Sequence, residues 1–78
     1  MKKRSVMVAN HRTSVSLENA YWDALREAAT TRAISVNDLV GEIDQHRYNS
    51  LSGAIRIYVL AVARATATGR AIPKASKL

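Results

Sequence analysis

Arg12, Ser14 and Ser16 stand on alternate positions of the run HRTSVSLE, with Thr13, Val15 and Leu17 interleaved among them. In an extended strand alternate side chains share a face. The run therefore sets a guanidinium and two hydroxyls on one side and three larger groups on the other. Side chains on such a face repeat every ~7 Å, close to two base-pair steps of roughly 3.4 Å. Arginine suits the O6 and N7 acceptors of guanine, and serine can donate to or accept from several bases. Any solvent-facing strand also carries a polar row, so alternation alone leaves both readings open.

A second group able to hold an anion is Ser35-Val36-Asn37-Asp38. Serine followed three residues on by an acid is a capping-box variant that opens a helix. The free N–H groups and positive dipole end at Ser35, Val36 and Asn37 would suit a phosphate. Asp38 would oppose it unless occupied with the cap. Lys2, Lys3 and Arg4 form a short basic arm that could follow a phosphate strand or simply be a solvated end. No nucleophile sits in a recognisable strained turn, and Asp38, Glu42 and Asp44 make no obvious carboxylate pair, so an enzyme is not expected.

These groups need elements to hold them. Val6 and Val8 share one strand face at even positions, whereas Thr13, Val15 and Leu17 are odd. One uninterrupted strand cannot bury both sets, so a turn or bulge is expected near Asn10. From about 19 to 32 the period becomes helical, with Trp22, Leu25, Ala28 and Ala29 on one side. A second helix carries Val36, Leu39, Val40 and Ile43 and ends near His46. Asn49 or Ser50 caps a third, LSGAIRIYVLAVARATA, whose stripe of Leu51, Ile55, Tyr58 and Val62 is widened by Ile57, Leu60 and Ala61. Gly69 and Pro73 end regular structure. The expected organisation is a basic arm with a short extended segment at 1–10, a domain at 11–68 and a flexible basic tail at 69–78.

The chain has 78 residues, enough for one small domain, and no cysteine to staple it. His11 and His46 lack a metal-ligand spacing, and neither a metal nor another cofactor is expected. Oligomerisation remains, and 47% hydrophobic residues can supply a shared core. A lone strand would leave a row of unsatisfied backbone groups. The expectation is therefore a mostly α fold of one strand and three helices, its strand paired antiparallel with that of a second subunit. The dimer core would contain Val15, Leu17, Trp22, Leu25, Leu39 and Ile43. Twelve Lys plus Arg against six Asp plus Glu give a formal charge of +6, which points to a polyanionic partner. No apolar run reaches the ~20 residues of a membrane span, and the third helix lacks the basic polar face of a membrane-surface helix. The opening does not read as a secretory signal, and a cytoplasmic setting follows as the default.

The order of motifs is similar to one known family. Arg4-Ser5-Val6, His11 to Glu18, Trp22-Asp23-Ala24-Leu25-Arg26, Val40-Gly41-Glu42-Ile43-Asp44 and Asn49 to Arg56 follow one another as in a subgroup of ribbon-helix-helix DNA-binding proteins. The resemblance covers about residues 4 to 63. It implies a homodimeric transcription factor, in the first instance a repressor of double-stranded DNA operators. It places Arg12, Ser14 and Ser16 against the bases and the turn at Ser35, Val36 and Asn37 against the backbone. Some such proteins are antitoxins, so an alternative is a protein-interaction module whose third helix and tail bind a toxin.

Overall fold

The parity switch at Asn10 is a hairpin turn. In the computed structural model, which describes residues 1–47 and 50–77, strand β1 (Lys2–Val8) returns antiparallel along strand β2 (His11–Leu17). Lys2 lies opposite Leu17, Val6 opposite Thr13 and Val8 opposite His11. Ala9 and Asn10 have φ of 50° and 66°. Positive φ at both central residues is what a type I′ connection requires, and its twist suits paired strands. Asparagine tolerates that region, whereas alanine is strained in it by about 1–2 kcal/mol. Ala9→Gly relieves the strain and adds roughly 0.5–1 kcal/mol of chain entropy in the unfolded state. A net gain of up to about 1 kcal/mol is expected in urea unfolding, and a lowered midpoint would contradict this account of the turn.

The hairpin overturns the expected fold. The chain is mixed α/β, with two strands and then three helices, rather than mostly α with one strand. The partner of β2 is β1 of the same chain, not the strand of a second subunit. Lys2, Lys3 and Arg4, read as an arm, are strand residues. Val6, Val8, Val15 and Leu17 are buried together, so the even and odd sets meet on one face because the turn brings them into register. Val15, Leu17, Trp22, Leu25, Leu39 and Ile43, assigned above to a dimer core, are buried within a single chain.

Helices α1 (Asn19–Thr31), α2 (Val36–Gln45) and α3 (Leu51–Ala67) follow. Trp22, Leu25, Ala28 and Ala29 form the buried stripe of α1, and Leu39, Val40 and Ile43 that of α2. Ala33 ends α1 with φ of 58°. Its N–H donates to the Thr30 carbonyl and that of Ile34 to Ala29, each at 3.0 Å. This is the Schellman arrangement that satisfies the last carbonyls of a helix. Two residues later Ser35 starts α2, its Oγ accepting from the Asp38 N–H at 2.9 Å. Ser50 caps α3 by accepting from the Gly53 N–H at 3.1 Å, while the alternative cap, Asn49, lies outside the described residues. Gly69, at φ 73°, closes α3 in the same way as Ala33 closes α1, with Arg70 N–H donating to Ala65 at 2.8 Å.

Residues 70–77, within the stretch expected as a flexible basic tail at 69–78, turn back onto the helices. Ala75 is buried at 3% exposure and Ile72 packs against the core. The Tyr58 hydroxyl donates to the Pro73 carbonyl at 2.7 Å, and the Ala75 N–H donates to Glu42 Oε1 at 2.7 Å. A short 3-10 turn, Ala75–Lys77, follows. Glu42 also receives both terminal nitrogens of Arg32, at 3.0 and 2.9 Å. One carboxylate thus joins the end of α1, the middle of α2 and the tail.

Candidate nucleic-acid interface

Burial of Val6, Val8, Val15 and Leu17 against the helices fixes which way the hairpin faces. Because side chains alternate, Lys3, Ser5 and Met7 of β1 and Arg12, Ser14 and Ser16 of β2 point the other way. The register places Lys3 opposite Ser16, Ser5 opposite Ser14 and Met7 opposite Arg12. All of these are exposed except Ser16, which is half-buried. The structure brings Arg12, Ser14 and Ser16 onto one outward row, as the alternation required. It adds a second row beside them that sequence reasoning did not assign. Ser5 and Met7 were legible in principle, since they flank Val6 and Val8 with opposite parity.

Of the N-terminal cations, only Lys3 belongs to this outward face. The Arg4 guanidinium lies over the Trp22 ring at 5.6 Å from its centroid, and the Lys2 carbonyl accepts from Trp22 Nε1 at 2.8 Å. Trp22 therefore anchors the start of β1 to α1.

The start of α2 is tied to the same hairpin. Asn37 Oδ1 accepts the backbone N–H of Met7 at 3.2 Å, which fixes the first turn of α2 against the edge of β1. Ser35 and Asn37 are exposed there and Val36 is half-buried. The positive end of the helix thus stands beside the outward face, where a backbone flanking an inserted ribbon would pass. Asp38 supplies the cap N–H to Ser35, and its own carboxylate remains exposed in this turn.

Charge is unevenly spread. Residues 2–17 carry Lys2, Lys3, Arg4 and Arg12 and no Asp or Glu. On the helical side, four acids pair with arginines: Glu18 with Arg56 at 2.8 Å, Glu42 with Arg32 at 2.9 Å, Asp44 with Arg47 at 2.6 Å, and Asp23 with Arg26. The Arg56 bond holds the Glu18 carboxyl below its ordinary value. The hairpin itself carries cations and no carboxylate of its own, and the exposed Asp38 lies in the neighbouring first turn of α2. Among the described residues no cluster of three metal-ligating side chains occurs, and no helix is long and apolar enough to cross a membrane.

The family model of the ribbon-helix-helix domain matches residues 1–63. The chain belongs to the ribbon-helix-helix domain family, whose members are in general DNA-binding regulators. The match spans both strands and most of α3 and ends before the docked tail. No curated protein and no solved structure matches the chain.

Proposed function

We propose that this protein is a sequence-specific binder of double-stranded DNA that represses transcription by occupying an operator. The observation that carries the reading is the hairpin, a two-stranded ribbon with a basic, hydroxyl-bearing outer face and no carboxylate. The major groove admits a two-stranded ribbon, and here one chain supplies both strands. Arg12, Ser14 and Ser16 read base edges, with Arg12 directed at guanine. Ser35, Val36 and Asn37 present the positive end of α2 to a phosphate on the β1 side, against the opposing charge of the exposed Asp38 carboxylate in the same turn. Lys3 adds a cation to the ribbon face, and Lys2 and Arg4 contribute to the field around it. Affinity comes mainly from phosphates and falls steeply with salt.

The protein acts as a homodimer in the cytoplasm. Ile57 and Leu60, each 51% exposed and one turn apart on α3, offer an apolar contact for a second copy. No observation favours the toxin-binding alternative, since the tail it would use is docked on Glu42 and Tyr58.

Selection of random duplexes on the protein at physiological salt, followed by sequencing, tests the reading. A recurring guanine-containing motif is expected, as an inverted repeat if two copies bind together. On the selected duplex Arg12→Ala costs ~1–3 kcal/mol and relaxes preference at one position. An equal loss on selected and random DNA would reduce Arg12 to a phosphate contact and remove the sequence reading.

A further inference from the structure

Met7 is the one apolar side chain on the outward face of the hairpin, 45% exposed among Lys3, Ser5, Arg12, Ser14 and Ser16. Its position is fixed twice over. The register sets it directly opposite Arg12, and its backbone N–H is held by Asn37 Oδ1 at 3.2 Å. Its neighbours Val6 and Val8 are buried, so the pleat cannot turn it inward without exposing both. Single exposed apolar side chains are common on protein surfaces; what sets Met7 apart is its fixed place on a groove-sized ribbon, directly across from Arg12.

We infer that Met7 is a specificity-determining residue that packs on the 5-methyl group of a thymine adjoining the guanine read by Arg12. This rests on the DNA-reading function proposed above and deepens it. The 5-methyl of thymine is the apolar feature by which the major groove distinguishes that base, and apolar side chains contact it. Cross-strand partners have Cβ atoms about 4.5–5.5 Å apart. That separation lies across the ribbon, so the two long side chains stand side by side in the groove. They are close enough for Arg12 to take one base pair and Met7 the adjoining one. Charge complementarity holds the ribbon to the DNA, with Arg12 beside the contact and Lys3 at the other end of the same face, and the methyl contact then discriminates within the groove.

The test removes the methyl from the DNA rather than from the protein. In the selected duplex each thymine is replaced singly by uracil, which pairs identically and lacks only the 5-methyl. Dissociation constants are measured for the wild type, Met7→Ala and Arg12→Ala. One uracil position beside the guanine is expected to weaken the wild type by about 4-fold, the worth of one methyl removed from water. Met7→Ala should bind the thymine duplex more weakly by a similar factor and ignore that uracil, while Arg12→Ala remains sensitive to it. The inference is overturned if no uracil weakens the wild type, or if Met7→Ala keeps the same sensitivity, while Arg12→Ala still loses selectively on the chosen duplex. Equal losses by Arg12→Ala on chosen and random DNA would instead sink the underlying function, and the inference with it. The uracil series on the wild type alone can overturn the proposal, whatever the Met7→Ala variant does to folding.

Discussion

Trp22→Ala should leave most molecules unfolded at 37 °C. The indole is 2% exposed in the shared core and ties α1 to the start of β1. Replacing a buried tryptophan by alanine costs about 3–5 kcal/mol through lost transfer energy and the cavity left behind. Two further contacts go with it. The Nε1–H donated to the Lys2 carbonyl at 2.8 Å is worth ~0.5–1.5 kcal/mol net, and the Arg4 guanidinium above the ring ~0.5–1 kcal/mol. A domain of this length has roughly 0.05–0.15 kcal/mol of stability per residue, so the loss rivals the total. Trp22→Phe separates these effects. It keeps most of the buried ring but not the donor, and should cost only about 1–2 kcal/mol. Hydrogen exchange would locate the damage: amides at the start of β1 should lose protection while those of α2 and α3 keep it. Uniform loss across all three helices would show that the indole N–H is not what pins the hairpin.

The helices and their ends were legible because local chemistry specifies them. Trp22, Leu25, Ala28 and Ala29 keep helical spacing, and Ser35 and Ser50 cap the helices they precede. The outward row of Arg12, Ser14 and Ser16 was legible for the same reason, since strand alternation depends on nothing distant. The partner of β2 was harder to read. Its signs were present, with Val6 and Val8 out of phase with Val15 and Leu17 and a break near Asn10. The turn itself reads Ala9-Asn10, without the glycine that marks most two-residue hairpins, and the basic start resembled a loose arm. An intrachain partner then looked less available than a second copy. Lys2, Lys3 and Arg4 divide between faces by the parity of Val6 and Val8 once the basic start is known to be strand, which is why Lys3 joins the candidate site while Arg4 covers Trp22. The docked tail had no periodic signal at all, because its attachments are the isolated apolar contacts of Ile72 and Ala75 and two hydrogen bonds across long sequence separations, one donated to Glu42 and one from Tyr58.

Glu42→Ala should cost about 2–3 kcal/mol and release the tail. The side chains of Arg32 and Glu42 are 16% and 24% exposed. Their two-pronged pair thus lies between a surface bridge, worth about 0–1 kcal/mol, and a buried one whose breaking costs roughly 3–5 kcal/mol. Removing the carboxylate strands the Arg32 guanidinium, leaving it only the Tyr58 hydroxyl at 3.2 Å, and takes the acceptor from the Ala75 N–H. The Arg32 bond first, and the Ala75 N–H with it, hold the Glu42 carboxyl below its ordinary value of 4.5 against the opposing effect of burial. The sign of the pH dependence follows. A carboxyl whose folded pKa is depressed contributes stability that is present above its unfolded pKa and is lost as pH falls through the folded one. Unfolding free energy of the wild type should therefore drop as the pH is lowered from about 5 towards 3. Glu42→Gln, which cannot titrate, should start lower at neutral pH and fall less steeply. The slope it retains belongs in part to Glu18, whose carboxyl is lowered by Arg56. Proteolysis gives an independent reading, with cleavage after Arg70 or Lys74 expected to quicken in Glu42→Ala. Parallel pH curves for the wild type and Glu42→Gln, with unchanged cleavage in Glu42→Ala, would mean the carboxylate holds neither the helices nor the tail in solution.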